Sequence, residues 1–270
     1  MTLNLPGTTH VHPVEDLFDE LALALAAAAS EAVKSRGVFH IALSGGSTPE
    51  PFYQSLVIDP RWRTIPWERT HLWIVDERCV PESHEKSNWK MIRAALTDHL
   101  PMKSRQLHPM PVMLPDAAAA YEEELTRVYE SHEASAASRD VSSRIADQFA
   151  GSATPRLDFV LLGMGDDAHT ASLFPGSPAL NENAKLIASN DGPLVVPPPR
   201  VTMTYSLLNA ARYLAVLCVG AKKLAMLTRV SEQMKTGGPD IANLPITGIA
   251  PTAGELAWYL TPAAAGAPSR

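Results

Sequence analysis

Residues 157–175, LDFVLLGMGDDAHTASLFP, limit the possible folds of this chain more than any other stretch. The apolar run 157–162 is too short and too uniformly apolar for a surface helix, and it fits a strand covered on both faces within a parallel sheet. The run ends at Gly163 and Gly165, after which come Asp166, Asp167 and His169. Ligands of open α/β sheets sit at the carboxyl ends of such strands, so these residues fall where a site is expected. An imidazole beside two acids is a common catalytic arrangement. A solvated turn after a strand is the plainer alternative.

The rest of the chain alternates in the same way. Residues 14–35 are rich in Ala and Leu and read as a helix stopped by Gly37. A strand at 38–43 then runs through Ser44, Gly45, Gly46 and Ser47 into a second helix, with Thr48 as its N-cap and Pro49 at its first position. Further strands are expected at 70–75, 213–219 and 255–260. Helices are expected at 88–99, capped by Ser87 and Asn88, at 121–131, and at 221–235 after a turn at Gly220; the residues beyond 260 read as a frayed tail. The alternation predicts an α/β fold, a mainly parallel sheet with helices on both faces, as one domain over residues 1–270. Residues 132–155 shift to Ser, Ala and scattered charge without apolar periodicity, which predicts a mobile surface excursion.

Composition narrows the function classes. No apolar segment approaches the roughly 20 residues that span a bilayer. The run 21–29 follows Glu15, Asp16, Asp19 and Glu20, where a secretory signal needs basic residues, so it reads as part of the first helix. A formal charge of −6 argues against nucleic acid or an anionic membrane surface as a partner. A few cations focused in one cleft still suffice for a small anion. With only Cys79 and Cys218 there is neither a disulfide framework nor a CxxC metal pair, and a cytoplasmic location is expected. The histidines at 10, 12, 40, 71, 84, 99, 108 and 132 are not spaced as metal ligands and are expected on surfaces or strand edges. No metal and no cofactor is expected.

Several short motifs carry chemistry. Ser44-Gly45-Gly46-Ser47 places glycines before a helix start, where backbone N–H groups close on an anion. It lacks the GxGxxG or Gly-Lys-Ser/Thr pattern of nucleotide loops, so a monophosphate suits it better; a plain tight turn is the alternative. Asp76, Glu77 and Arg78 end the next strand, and Arg78 suits bidentate contact with phosphate oxygens, unless it is spent on a surface ion pair with Glu77 or Glu82. Arg200 in PRVT and Lys223 in GAKK are further phosphate candidates, the latter because a lysine at a helix start opposes the dipole unless an anion lies there. Cys79 reads as an inert thiol, and neither Ser44 nor Ser47 sits in a GxSxG elbow.

In this order SGGSTP, DERCVP with SN, LLGMGDDAHTASLFPG, PRVT and GAKK resemble the 6-phosphogluconolactonase family, across roughly residues 41–260. The resemblance implies the fold shared by glucosamine-6-phosphate deaminases, ribose-5-phosphate isomerases and CoA transferases. It implies hydrolysis of 6-phospho-D-glucono-1,5-lactone in the pentose phosphate pathway, with a small phosphorylated sugar lactone as the partner; a monomer or small homo-oligomer is expected. It assigns water activation to His169, an acidic role to Asp76 in orienting a hydroxyl or the imidazole, and phosphate binding to the SGGS loop, Arg78, Arg200 and Lys223. Backbone N–H groups of the loop holding Gly163, Gly165 and Asp167, or a nearby cation, are candidates to stabilise the oxyanion. Two features depart from the family: Ala168 stands where glycine is usual, a strain if that backbone needs positive φ, and the 132–155 excursion is longer. The rivals are an isomerase or deaminase of the same fold and a non-catalytic sugar-phosphate sensor. Such deaminases follow their histidine with a Phe-Asn-Glu-Pro segment, and residues 170–175 here supply no carboxylate.

Overall fold

In the computed structural model, which describes residues 3–137, 154–191, 195 and 198–267, two sheets meet at one crevice. The chain runs β1 (Thr8–Val11), α1 (Val14–Arg36), β2 (Phe39–Leu43), α2 (Glu50–Ile58), β3 (Thr70–Ile74), β4 (Asp76–Arg78), α3 (Asn88–Ala95), β5 (Leu107–His108) and α4 (Ala117–Ala137). It continues through β6 (Phe159–Gly163), β7 (Ile187–Asn190), β8 (Arg200–Met203), α5 (Tyr205–Leu208), β9 (Tyr213–Cys218), α6 (Leu224–Thr236), β10 (Glu255–Leu260) and α7 (Pro262–Ala265). Seven strands form a sheet in the order β1-β10-β9-β6-β2-β3-β5, with every ladder parallel, as expected of an α/β fold.

The central strands explain their own position. All five residues of β2 are buried, and so are the first four of β6, which requires cover on both faces of the sheet. Part of that cover is α1, whose Leu17, Leu21, Leu25, Ala29 and Ala32 recur every three or four residues and are buried against β2, β6 and β10. Gly37 ends this helix at φ 81°, a conformation glycine adopts without strain. Cutting Leu21 to alanine would cost about 2–5 kcal/mol through lost burial and the cavity left behind.

The strand order places the site. From β2 the chain moves outward to β3 and β5, while from β6 it moves the other way to β9 and β10. The crevice between the carboxyl ends of β2 and β6 is therefore a topological switch point, where ligands of open α/β sheets bind. Residue Val75 then turns the chain out of the large sheet: its N–H donates to Leu43 at 3.0 Å, and its carbonyl accepts from Met203 at 2.8 Å. Beyond it, β4 joins β8 and β7 in a small antiparallel sheet that walls one side of the crevice.

Several expectations need correction. The second helix starts at Glu50, and its N-cap is Pro49, already in helical conformation; Thr48 lies in the turn before it and caps nothing. The helix expected to reach His99 ends at Ala95 and passes into a short 3-10 turn, while Ser87 does cap it by accepting from the Lys90 N–H at 3.1 Å. The tail forms α7 before residues 268–270, and residues 132–137 continue α4. The remainder of the expected excursion, 138–153, lies outside the described residues.

The histidines differ most from expectation. His40 and His108 are buried, and with His71 and His132 they form one cluster against Trp73. The Trp73 indole N–H donates to Nδ1 of His40 (3.2 Å), Nδ1 of His71 lies 2.8 Å from Nε2 of His108, and Nδ1 of His108 lies 2.6 Å from Glu124. The imidazoles behave here as flat aromatic groups that satisfy one another's ring nitrogens. Burial first, and then the neighbouring histidines, hold His40 far below the usual histidine range and His71 at about 3. Among the described residues no group of His, Cys, Asp or Glu is arranged to hold a metal.

Candidate active site

Three loops leave neighbouring strands at the crevice and line a cleft of about 320 Å³. From β2 comes the SGGS loop, from β3 and β4 come Asp76 and Arg78, and from β6 comes the loop carrying His169. The cleft gathers Ser44, Gly45, Gly46, Ser47, Asp76, Arg78, Gly163, Gly165, His169 and Arg200 on one wall or another, so ten of the residues singled out in the sequence meet in space. Three larger depressions elsewhere on the surface hold none of these residues.

The SGGS loop is built for close approach. A Cβ on Gly45 would come within 1.9 Å of Asn88 Oδ1, so the loop packs directly on the start of α3. Gly46 stands at φ 104°. Among the described residues the backbone N–H groups of Gly45, Gly46 and Ser47 have no protein acceptor, which leaves them open to an anion. Ser44 is different, because its hydroxyl donates to the Leu161 carbonyl at 2.8 Å and ties β2 to β6.

Both arginines face the same space. Arg78 and Arg200 are register partners across the antiparallel ladder of β4 and β8. The alternative of a surface ion pair for Arg78 fails: Glu77 is buried and spends its carboxylate on the N–H groups of Arg78, Asn88 and Trp89, and Glu82 pairs with Arg93 at 2.8 Å. Arg78 donates to the Lys86 carbonyl through Nη1 at 2.7 Å, and its buried Nε has no partner among the described residues. Burial pulls the Arg200 pKa down, Asp76 raises it, and Arg78 lowers it again. Like charges opposed on a ladder are unfavourable, and a dianion between them removes the conflict.

His169 is held on two sides. Its Nδ1 lies 2.5 Å from Asp167 Oδ1, which also accepts the His169 backbone N–H at 3.1 Å, and its ring packs on Phe174 with centroids 4.6 Å apart. Burial would raise the Asp167 carboxyl, but the bonds from His169 outweigh it and hold the group below its ordinary value. With Nδ1 committed, Nε2 is the nitrogen left for chemistry. Gly165 must be glycine, since a Cβ there would lie 2.1 Å from His169 Nδ1. Ala168 does take positive φ, 66°, and still delivers His169; its carbonyl accepts from Ile246 at 2.9 Å, and its methyl group is buried.

Other sequence assignments shift. The Asp76 carboxylate accepts from Ser172 Oγ at 2.5 Å and from Asn88 Nδ2 at 3.4 Å, while Asp167 holds the imidazole that Asp76 was a candidate to orient. Lys223 does not line the cleft; its ammonium donates to Asp166 at 2.6 Å, so the anion expected near the start of α6 is this side chain. The Gly165 N–H donates to the His169 carbonyl at 2.8 Å and the Ala168 N–H to the Gly165 carbonyl at 3.2 Å, so neither is free for an oxyanion. Asp167 serves the imidazole rather than an oxyanion loop. Cys79 has its thiol pushed up by burial, and Cys218 is pushed up to about 12, so neither is a nucleophile. Sequence reasoning gave no role to Phe174 or Ser172; the Ser172 hydroxyl donates to Asp76, its N–H donates to the Thr202 hydroxyl, its carbonyl accepts from the Asn190 amide, and only the fold brings them together.

The family described as glucosamine-6-phosphate isomerases/6-phosphogluconolactonase matches residues 13–258. The chain belongs to that family. Within it, a Nostoc sp. 6-phosphogluconolactonase is 38% identical over 241 residues, covering 87% of both chains. The human GDH/6PGL endoplasmic bifunctional protein is 37% identical over 246 residues; this stretch is 91% of the present chain, which spans 28% of that relative's length. Among solved structures, a 6-phosphogluconolactonase from Thermotoga maritima superposes with a TM-score of 0.70 at 25% identity, covering 94% of this chain and 99% of that one.

Proposed function

We propose that the protein hydrolyses 6-phospho-D-glucono-1,5-lactone to 6-phospho-D-gluconate, the lactonase step of the oxidative pentose phosphate pathway, with residues 1–270 acting as one catalytic domain. The observation that carries this reading is the shared cleft: a histidine with one ring nitrogen committed to a carboxylate faces the same space as two opposed arginines and a glycine loop with open N–H groups. The phosphate binds between Arg78, Arg200 and the SGGS loop, which leaves the lactone ring toward His169. Nε2 of His169 takes a proton from water as the water oxygen bonds to the lactone carbonyl carbon. The tetrahedral oxyanion collapses, the bond from that carbon to the ring oxygen breaks, and the proton on Nε2 passes to the departing oxygen. Asp167 fixes the tautomer and steadies the imidazolium between these transfers. Stabilisation of the oxyanion falls to the remaining backbone N–H groups of the loop from Gly163 to Ala168, since those of Gly165 and Ala168 are committed and both cleft arginines hold the phosphate.

The lactone and phosphate chemistry needs no cofactor in this scheme. No helix among the described residues is long and apolar enough to cross a membrane, and a cytoplasmic location belongs to this proposal. The test is a coupled assay in which the short-lived lactone is generated enzymatically and 6-phosphogluconate is followed against spontaneous opening. Acceleration proportional to protein concentration is expected. Turnover of glucosamine 6-phosphate with no effect on the lactone would replace this reading with the deaminase one.

A further inference from the structure

Phe174 lies five residues beyond His169, and a tight turn brings it back under that side chain: Leu173 N–H donates to Thr170 at 2.9 Å, and Ser177 N–H donates to the Phe174 carbonyl at 3.0 Å. Phe174 is 3% exposed, and two residues before it Ser172 is fully buried and bonded to Asp76, Thr202 and Asn190, which anchors the turn that carries it. Two groups of the cleft rest on this ring. His169 packs on it at 4.6 Å between centroids, and the Arg200 guanidinium carbon sits over it at 5.6 Å from the centroid.

We infer that Phe174 is a positioning residue for the reaction, a π-face that holds the base and the anion-binding cation at a fixed separation and offsets their mutual repulsion when the base is protonated. This rests on the lactonase reading. The hydrogen bond at Nδ1 pins the imidazole at one point; packing on Phe174 fixes the plane of the ring and helps aim Nε2 into the cleft. During turnover the imidazole becomes a cation in a cleft that already holds Arg78 and Arg200. The face of an aromatic ring is electronegative and attracts cations within about 6 Å of its centroid. Phe174 thus touches both charges without touching the reacting atoms. An aliphatic side chain of similar bulk fills the space and lacks the face.

The test compares wild type, Phe174→Leu, and a protein carrying 3,4,5-trifluorophenylalanine at position 174, which keeps the shape while withdrawing charge from the ring face. Lactone turnover and binding of inorganic phosphate by calorimetry are measured on each full-length protein. Both replacements are expected to lower kcat about five- to thirty-fold, with KM rising by less than kcat falls and phosphate binding weakened severalfold. A trifluorinated protein indistinguishable from wild type in kcat and phosphate binding overturns the inference, whatever leucine does. Should the leucine variant misfold, the isosteric trifluorinated protein decides alone. If the wild type does not accelerate lactone opening, the lactonase reading fails, and phosphate binding still reports whether the ring face braces Arg200.

Discussion

Arg78 and Arg200 stand directly opposite each other on adjacent antiparallel strands, with no carboxylate salt-bridged to Arg78 among the described residues. Two guanidinium groups in that relation are a poor choice for stability and a good one for a phosphate dianion, which accepts paired N–H bonds from each. Arg78→Ala should therefore raise KM by roughly 10- to 150-fold, the worth of one charge-assisted hydrogen bond, with little change in kcat. Relief of the like-charge pair should leave the melting temperature of the ligand-free variant no lower than wild type. A calorimetric scan showing marked destabilisation would mean that Arg78 is a structural ion and that the anion sits elsewhere.

Glycine at 165 is demanded by the base itself. An added methyl group would stand 2.1 Å from His169 Nδ1 and 2.7 Å from Asp167 Oδ1, so one of the pair must move. Gly165→Ala should lower kcat by roughly 10²- to 10³-fold, within the range for losing a positioned general base, while phosphate affinity stays near wild type. Equal losses in kcat and in phosphate binding would show the whole cleft collapsing rather than the imidazole shifting.

What the sequence revealed, and what it concealed, follows from how each group is assembled. The SGGS, DER and GMGDDAH residues lie in contiguous stretches at strand ends, and a parallel sheet carries such ends to one edge, so periodicity and glycine placement were enough to collect them. The opposition of Arg78 and Arg200 depends on the register of strands three and four residues long in a second sheet, and nothing in either stretch names its partner. Lys223 reads as an anion ligand from its unfavourable helix-dipole position, and its counter-ion, Asp166, arrives from a different loop. The histidine cluster was invisible for the same reason. Its members come from β2, β3, β5 and α4, and each reads locally as a polar residue.

That cluster predicts how stability depends on pH. His71 has its pKa at about 3 in the fold and His40 is held well below the usual histidine range, because burial and the neighbouring rings disfavour charge. The unfolded chain takes up these protons near pH 6.5, and the folded protein does not. Stability from the two neutral rings is therefore complete above about pH 6.5 and is lost as pH falls from there toward 3, at up to about 1.4 kcal/mol per pH unit for each histidine. Arg36 and Arg105 add to the cost of protonation, while Glu124 faces only His108 in the hydrogen-bond chain. Urea unfolding between pH 8 and 5 should show this slope. A flat profile, or NMR titration of the His40 ring near its ordinary value, would show that the cluster opens in solution.

The dyad of Asp167 and His169 sets the decisive prediction. His169→Asn keeps a comparable size and some hydrogen bonding but takes no proton from water, so kcat should fall by roughly 10²- to 10⁴-fold with the fold and phosphate affinity retained. Asp167→Asn keeps the shape of the acceptor, yet removes the carboxylate that holds Nδ1 as a donor and steadies the imidazolium, and it should also lower kcat while leaving KM nearly unchanged. Since Asp167 acts only through His169 (its carboxylate meets the imidazole at 2.5 Å and no cleft cation), the two losses should not add. The double variant should be no slower than His169→Asn alone, because once the base is gone its orienting partner has nothing left to orient. Additive losses in that cycle would give Asp167 an independent part in the reaction, and near-wild-type kcat in a folded His169→Asn protein would remove the histidine as the base.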